Sequence, residues 1–174
     1  MRIIGGTHRG REITTPKGNL TRPMTDRARE ALFNILGDIS GFRVLDAYAG
    51  SGALGLEALS RGAAHATGIE SAPAAQAAIK SNLSSLGLEN YHLYEQTVEH
   101  WLATNQAVFN IIFADPPYHQ ADVNIFNQLS THLEPNGLLV IKYSNRENSP
   151  QFNGVELIKV TSYADNKLSF YRKT

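Results

Sequence analysis

The sequence predicts an α/β fold: a doubly wound, mostly parallel sheet with an antiparallel C-terminal hairpin and a small N-terminal β-hairpin appendage. Three observations carry that expectation. From residue 43 onward, short apolar runs alternate with stretches of helical periodicity, the pattern of strand–helix–strand units. Runs such as Val-Phe-Asn-Ile-Ile-Phe-Ala at 108–114 are apolar on nearly every residue, which fits strands covered on both faces. The tail breaks the alternation, because 155–163 and 167–173 flank Ala-Asp-Asn, a hairpin signal.

The elements follow in order. Residues 2–4 and 11–15 flank Gly5, Gly6 and Gly10 and read as a small hairpin, and Pro16, Gly18, Asn19 and Pro23 make the loop after it. Thr25 and Asp26 can cap a helix running to Leu36, with Ala28, Leu32, Ile35 and Leu36 on one stripe. Gly37 and Gly41 end it. Strands are expected at 43–48, 64–70, 90–95, 108–114 and 137–143, and helices at 53–61, 73–86, 97–104 and 122–133. Pro73 suits a first helical turn, and Gly87 a helix end. The organisation expected is a basic hairpin arm over 1–24 and one α/β domain over 25–174.

At 174 residues, the chain is one domain's worth, and its 42% hydrophobic and 18% charged residues are ordinary globular composition. There are no cysteines, which excludes disulfide scaffolds, Cys-ligated zinc and thiolate catalysis. The six histidines show no metal-ligand spacing, so no metal is expected, and Trp101 reads as core. The opening residues lack an apolar signal-peptide core, and no apolar run nears 18 residues. A cytoplasmic, monomeric protein away from any membrane is the expectation. The zero net charge hides an asymmetry: residues 1–30 balance at +4, with seven Lys/Arg against Glu12, Asp26 and Glu30, and the rest at −4. A basic segment on a slightly acidic body suits either a polyanion-binding arm or a solvated hairpin.

After the strand Arg-Val-Leu-Asp-Ala-Tyr comes Ala49-Gly50-Ser51-Gly52-Ala53-Leu54-Gly55, leading into a helix. Glycines let the backbone turn sharply near a ligand, and the helix N-terminus offers free N–H groups. A tight turn needing only small residues is the plainer alternative. Asp46 stands just ahead of the loop. Glu70, 18 residues beyond Gly52, ends the next strand, where an acid can accept from both hydroxyls of a ribose. A cofactor bearing adenosine follows. Asp46 suits a ligand carrying an ammonium group and would repel a pyrophosphate, which favours S-adenosylmethionine; otherwise Asp46 caps the loop's own amides.

Ile-Ile-Phe-Ala at 111–114 then runs into Asp115-Pro116-Pro117-Tyr118. The prolines stiffen the turn and donate no N–H. Such a loop suits methylation of an exocyclic amine on a flat base, whose lone pair is delocalised into the ring. The Asp115 carboxylate and the Pro116 carbonyl can accept its N–H groups, and Tyr118 can stack on the base. The base must be single-stranded or flipped to reach the loop. The alternative is a rigid turn and nothing more.

These two motifs resemble the amino-methyltransferases that use S-adenosylmethionine. The opening Met-Arg-Ile-Ile-Gly-Gly with Arg-Gly-Arg, and Thr-Arg-Pro-Met-Thr-Asp-Arg-Ala-Arg-Glu-Ala-Leu-Phe-Asn-Ile-Leu at 21–36, resemble the RsmD family of small-subunit ribosomal RNA guanine-N2 methyltransferases. The resemblance covers essentially the whole chain. It implies a Rossmann-like domain with a hairpin arm that contacts ribosomal RNA, either naked or in a protein-bearing particle. It further implies that Asp46, Ala49, Gly50, Ser51, Gly52, Glu70 and Ser71 hold S-adenosylmethionine, leaving S-adenosylhomocysteine as product. Many relatives carry an acid after the third strand, near the adenine; here Gln96 or Thr97 would take that role. Asp115, Pro116, Pro117 and Tyr118 become the catalytic loop. Arg2, Arg9, Arg11, Arg22, Arg27 and Arg29 become phosphate contacts, although Arg27 and Arg29 could instead pair with Asp26 and Glu30.

Three other readings compete. Adenine-N6 methylation of DNA uses the same acidic loop, but no residues remain for a separate target-recognition domain. An NAD-binding oxidoreductase accounts for the glycine spacing and leaves 115–118 unexplained. A non-catalytic RNA-binding module would bind without transferring a methyl group.

Overall fold

The computed structural model describes residues 1–16, 24–117, 122–146, 148–163 and 165–174. In chain order the elements are α1 (Asp26–Leu36), β1 (Arg43–Asp46), α2 (Ala53–Ser60), β2 (His65–Ile69), α3 (Pro73–Leu86), β3 (Tyr91–Tyr94), α4 (Val98–Thr104), β4 (Phe109–Ala114), α5 (Val123–Thr131), β5 (Leu133–Ser144), β6 (Val155–Tyr163) and β7 (Asn166–Lys173). Their starts have local causes. Thr25 caps α1 by accepting the Ala28 N–H, Pro73 opens α3, and Asp122 caps α5 by accepting the Asn124 N–H.

The strands form one sheet in the order β3-β2-β1-β4-β5-β7-β6. β1 to β5 run parallel, and β7 lies antiparallel to both β5 and β6. Successive strand residues point to opposite faces, so each strand feeds two cores. Val44, Ile111 and Phe113 pack with α1, α2 and α3 residues such as Leu32, Phe33, Leu56 and Ile79. Leu45 and Ile112 pack on the other face with Trp101 of α4 and Phe126 and Leu129 of α5. Apolar runs on the central strands are therefore required, since neither face meets water.

The chain runs outward from β1 to β3 and then returns to β4 on the other side of β1. That reversal opens a crevice beyond the carboxyl ends of β1 and β4, where ligands of open α/β sheets sit. The glycine loop follows β1 and the Asp115 loop follows β4, so both stand on its rim.

One element departs from the sequence expectation. β5 starts at Leu133 rather than residue 137, and α5 ends at Thr131. Leu133-Glu134-Pro135-Asn136 reads as a turn, yet Leu133 pairs with Phe109 before the ladder shifts to Ile111 opposite Leu138. Asn136 takes φ 64 within the irregularity, and Pro135 is tolerated there because a bulge frees its position from the ladder.

The basic N-terminal segment is tied firmly to the sheet domain. Arg2 and Glu12 form an antiparallel bridge, flanked by Ile3 N–H to Arg11 O and Ile13 N–H to Met1 O, each 2.9 Å. Ile3 and Ile13 are buried in the same core as α1 and α2. Polar groups complete the attachment: Asn82 of α3 exchanges hydrogen bonds with the Thr14 backbone at 2.7 and 2.9 Å. The Glu57 carboxylate of α2 accepts the Ile4 and Gly5 N–H groups, both at 2.8 Å. Among the described residues, no helix is long and apolar enough to cross a membrane.

Candidate active site

The loop after β1 turns on two glycines in left-handed backbone, Gly50 at φ 55 and Gly52 at φ 77, a region that side chains with a Cβ disfavour. A Cβ on Gly50 would meet nothing within 4 Å, so the loop faces open space there. Gly55 has a different role: a Cβ on it would lie 2.6 Å from the Tyr91 ring, so its absence lets α2 approach the sheet. Glu70, immediately after β2, accepts the Gly50 N–H on one carboxylate oxygen and the Ala72 N–H on the other, both at 2.8 Å. An ionised carboxylate has about four acceptor positions, so capacity remains for hydroxyl donors. Asn82 also donates to the Ser51 carbonyl at 3.0 Å, which links the glycine loop to the N-terminal segment. Sequence reading missed Asn82, because an amide in mid-helix carries no distinctive signal.

Asp46 ends β1 and is almost wholly buried, and its Oδ1 has no hydrogen-bond partner among the described residues. Burial pushes its carboxyl up to about 8, and the charges of Asp115 and Glu70 push the same way, against the nearby Gly55 and Tyr48 N–H groups. Three carboxyl groups around one crevice with a buried acceptor to spare form a site that a cation would complete. The raised value also sets a pH dependence. Between the ordinary value of 3.8 and about 8, the folded protein holds a proton that the unfolded chain has released, so rising pH removes stability. Melting temperatures of the unliganded protein and Asp46→Asn, measured across that window, are expected to show the unmodified protein losing ground steadily. Parallel curves would mean that Asp46 is ionised throughout.

Asp115 follows β4 directly, and its carboxylate takes a 2.9 Å ion pair from Lys142 of β5. Burial raises its pKa above the usual carboxylate value, and the Lys142 charge and hydrogen bond oppose that rise. Pro116 is buried and Pro117 half-buried, which fixes the turn. Tyr118 and Arg22 lie outside the described residues.

The other expected cofactor residues divide. Ala49 is buried in the loop, with its N–H on the Ile69 carbonyl at 3.0 Å. Ser71 is exposed beside Glu70, and Gln96 is half-buried in the turn after β3. Thr97 uses its hydroxyl to cap α4, accepting the His100 N–H, so helix geometry accounts for it.

The arginines divide as well. Arg9 and Arg27 are exposed, Arg2 is exposed and pairs with Asp26 at 3.2 Å, and Arg11 donates to the Ser85 carbonyl at 2.7 Å. Arg29 is a correction. It is 1% exposed and cannot reach a phosphate: it meets Asp26 at 3.1 Å and Glu57 at 3.6 Å, and donates to the Arg2 carbonyl. Its neighbours on the helix, Leu32 and Phe33, face the core, and that geometry outweighs its charge.

Comparison with known proteins agrees with this architecture. The family model described as Conserved hypothetical protein 95 matches residues 1–172. The ribosomal RNA small subunit methyltransferase D of Escherichia coli K12 is 43% identical over 140 residues, covering 80% of this chain and 69% of that protein. YlbH of Bacillus subtilis is 34% identical over 182 residues, 99% of each chain. Among solved structures, yhhF of Escherichia coli superposes with a TM-score of 0.90 at 35% identity, over 99% of this chain and 97% of that one. From the glycine loop to the acidic turn and the N-terminal segment, the chain belongs to the Conserved hypothetical protein 95 family, which is the RsmD family.

Proposed function

We propose that the protein transfers a methyl group from S-adenosylmethionine to the exocyclic N2 amine of a guanine in small-subunit ribosomal RNA. The observation that carries the reading is the pairing, on one rim, of the buried Asp46 carboxyl, whose Oδ1 has no hydrogen-bond partner among the described residues, with the Asp115 turn. The residues fit such a cofactor. Burial and the charges of Asp115 and Glu70 favour the protonated Asp46 carboxyl in the empty site. The ammonium of S-adenosylmethionine would favour its ionisation, whereas a dinucleotide's pyrophosphate would add negative charge beside Glu70 and Asp115 and oppose it. Glu70 holds the glycine loop in shape and keeps acceptor positions for ribose hydroxyls. When bound, the cofactor supplies an electrophilic methyl group.

On the acceptor side, the Asp115 carboxylate and the Pro116 carbonyl receive the N–H groups of the amine. Holding those hydrogens draws the nitrogen out of conjugation and turns its lone pair toward the crevice, an orientation effect worth several orders of magnitude in favourable cases. The carboxylate also offsets the positive charge that grows on nitrogen as the new bond forms. Substrate attraction rests on Arg2, Arg9, Arg11 and Arg27, whose phosphate contacts weaken with salt. The name of the Escherichia coli relative, a ribosomal RNA small subunit methyltransferase, supports the substrate class.

The test is methyl transfer onto small ribosomal subunits purified from cells lacking this protein, with the digested nucleosides resolved by mass spectrometry. N2-methylguanosine is expected with the intact protein and none with Asp115→Ala. N6-methyladenosine would keep the chemistry and overturn the base. Cofactor binding with no methylated base, on subunits or naked RNA, would leave a non-catalytic RNA-binding protein.

A further inference from the structure

Lys142 is a basic residue that the reaction outlined above does not use, in a position where a basic residue is costly. It lies on β5, between Ile141 and Tyr143, both buried, and its own side chain is 11% exposed. Ordering a lysine there costs side-chain entropy and hydration. The parallel register sets Ala114 beside Ile141, so the next pair along the two strands is Asp115 and Lys142. Their 2.9 Å contact is therefore built by the sheet itself rather than by a mobile loop.

Lys142 also lines a cavity of about 440 Å³, a volume in the range of small-molecule sites. The remaining walls come from the start of α1, including Arg27, and from the β6–β7 turn, including Tyr163, Asp165 and Lys167. The cavity stands at the carboxyl edge of β5, on the same rim as Asp115. Lys142 thus both pairs with Asp115 and lines this cavity.

We propose that Lys142 is a positioning residue for methyl transfer: it keeps the Asp115 carboxylate ionised and fixed beside this cavity, ready to accept the N–H groups of the incoming amine. The inference rests on the methyltransferase reading. Its physical content is that Asp115 alone, in a half-dry crevice, would be drawn by burial toward the neutral acid. A neutral acid offers one fewer acceptor position and carries no charge to offset the one growing on nitrogen. Lys142 supplies the opposing charge without touching the cofactor loop. Charged groups facing this pair are Asp46 from β1, Arg27 from α1, and Asp165 and Lys167 from the terminal hairpin.

The test compares the unmodified protein with Lys142→Met, which keeps the stem's volume, and Lys142→Arg, which keeps the charge. Two quantities are read: the carboxyl carbon resonance of Asp115 against pH, assigned with Asp115→Asn, and kcat at saturating cofactor against pH. Lys142→Met is expected to titrate Asp115 at higher pH, to move the acidic limb of kcat the same way, and to lose about a hundredfold in kcat near neutrality. S-adenosylhomocysteine affinity stays within about twofold, which shows a folded cofactor site. Lys142→Arg restores both titration and most of the rate. An Asp115 resonance that titrates identically in all three proteins overturns the proposal, as does a Lys142→Met enzyme within twofold of normal kcat. If the unmodified protein transfers no methyl group, the functional reading fails and takes the catalytic role with it. The carboxyl titration still reports whether Lys142 controls Asp115.

Discussion

Replacing Asp115 by asparagine is expected to slow methyl transfer by about 10²- to 10³-fold while leaving cofactor binding intact. The amide keeps the carboxylate's shape, so the turn made by Pro116 and Pro117 has no reason to move. Its chemistry differs in two ways. One oxygen becomes an NH2 group, which presents hydrogens to an amine that needs acceptors. The negative charge opposite the developing cationic nitrogen also vanishes, and losses of this size are usual when one such preorganised group is removed. Single-turnover transfer onto small subunits measures the loss directly.

The same substitution has a second, opposite effect on the cofactor side. The Asp115 charge is one of the two that raise the Asp46 carboxyl. Removing it eases ionisation of Asp46, so S-adenosylhomocysteine should bind at least as tightly to Asp115→Asn as to the unmodified protein. Slow transfer with undiminished binding separates a lost acceptor from a damaged site. Asp115→Asn above about a third of the normal rate would mean that other groups hold the amine.

Sequence patterns placed the two loops of the candidate site after their strands because each strand-to-loop connection is local. A strand, its loop and the next helix are consecutive in the chain, and glycine or proline at the turn limits how they can connect. The apolar run at 108–114 became β4, and Glu70 fell at the end of β2 where spacing had put it. What stayed hidden depends on contacts between distant segments. Lys142 meets Asp115 through strand register, 27 residues apart in sequence, and no local pattern encodes which strands pair. Leu133 to Asn136 carries turn residues, yet it enters the sheet because β4 offers a bulged partner. The resemblance makes Arg29 a phosphate contact, with pairing to Asp26 as the alternative; its spacing to Leu32 and Phe33 puts it on the buried face of α1, where it does pair with Asp26. A usable signal for its partner did exist: Glu57 is the lone charge in Ala-Leu-Gly-Leu-Glu-Ala-Leu-Ser, a helix with no polar face on which to display it.

Glu57 therefore carries the largest expected effect on stability. Its side chain is 0% exposed, and its two oxygens accept from three donors, the Ile4 and Gly5 N–H groups at 2.8 Å and Arg61 at 2.7 Å, and form an ion pair with Arg29 at 3.6 Å. Arg29, 1% exposed, has Glu57 as its buried counter-charge beside the partly exposed Asp26 at 3.1 Å. Glu57→Ala leaves a buried guanidinium with Asp26 as its remaining anion and two backbone donors without acceptors. Breaking a buried pair from one side costs about 3–5 kcal/mol, and each stranded donor adds about 1–3 kcal/mol. A fall in melting temperature of about 10 °C or more follows for a domain of this size. Urea unfolding followed by Trp101, the chain's single and fully buried tryptophan, gives the free energy. Hydrogen exchange at Ile4 and Gly5 locates the damage, since their amides should lose protection before the sheet does. Pairing Glu57→Leu with Arg29→Met removes both charges and should recover part of the loss, because an apolar pair can replace a buried ion pair. Recovery stays incomplete, since the Ile4 and Gly5 donors still lack an acceptor. A Glu57→Ala loss below about 1 kcal/mol would mean that water reaches this carboxylate, and that Ile3, Ile13 and the Asn82–Thr14 hydrogen bonds suffice to hold the N-terminal segment to the domain.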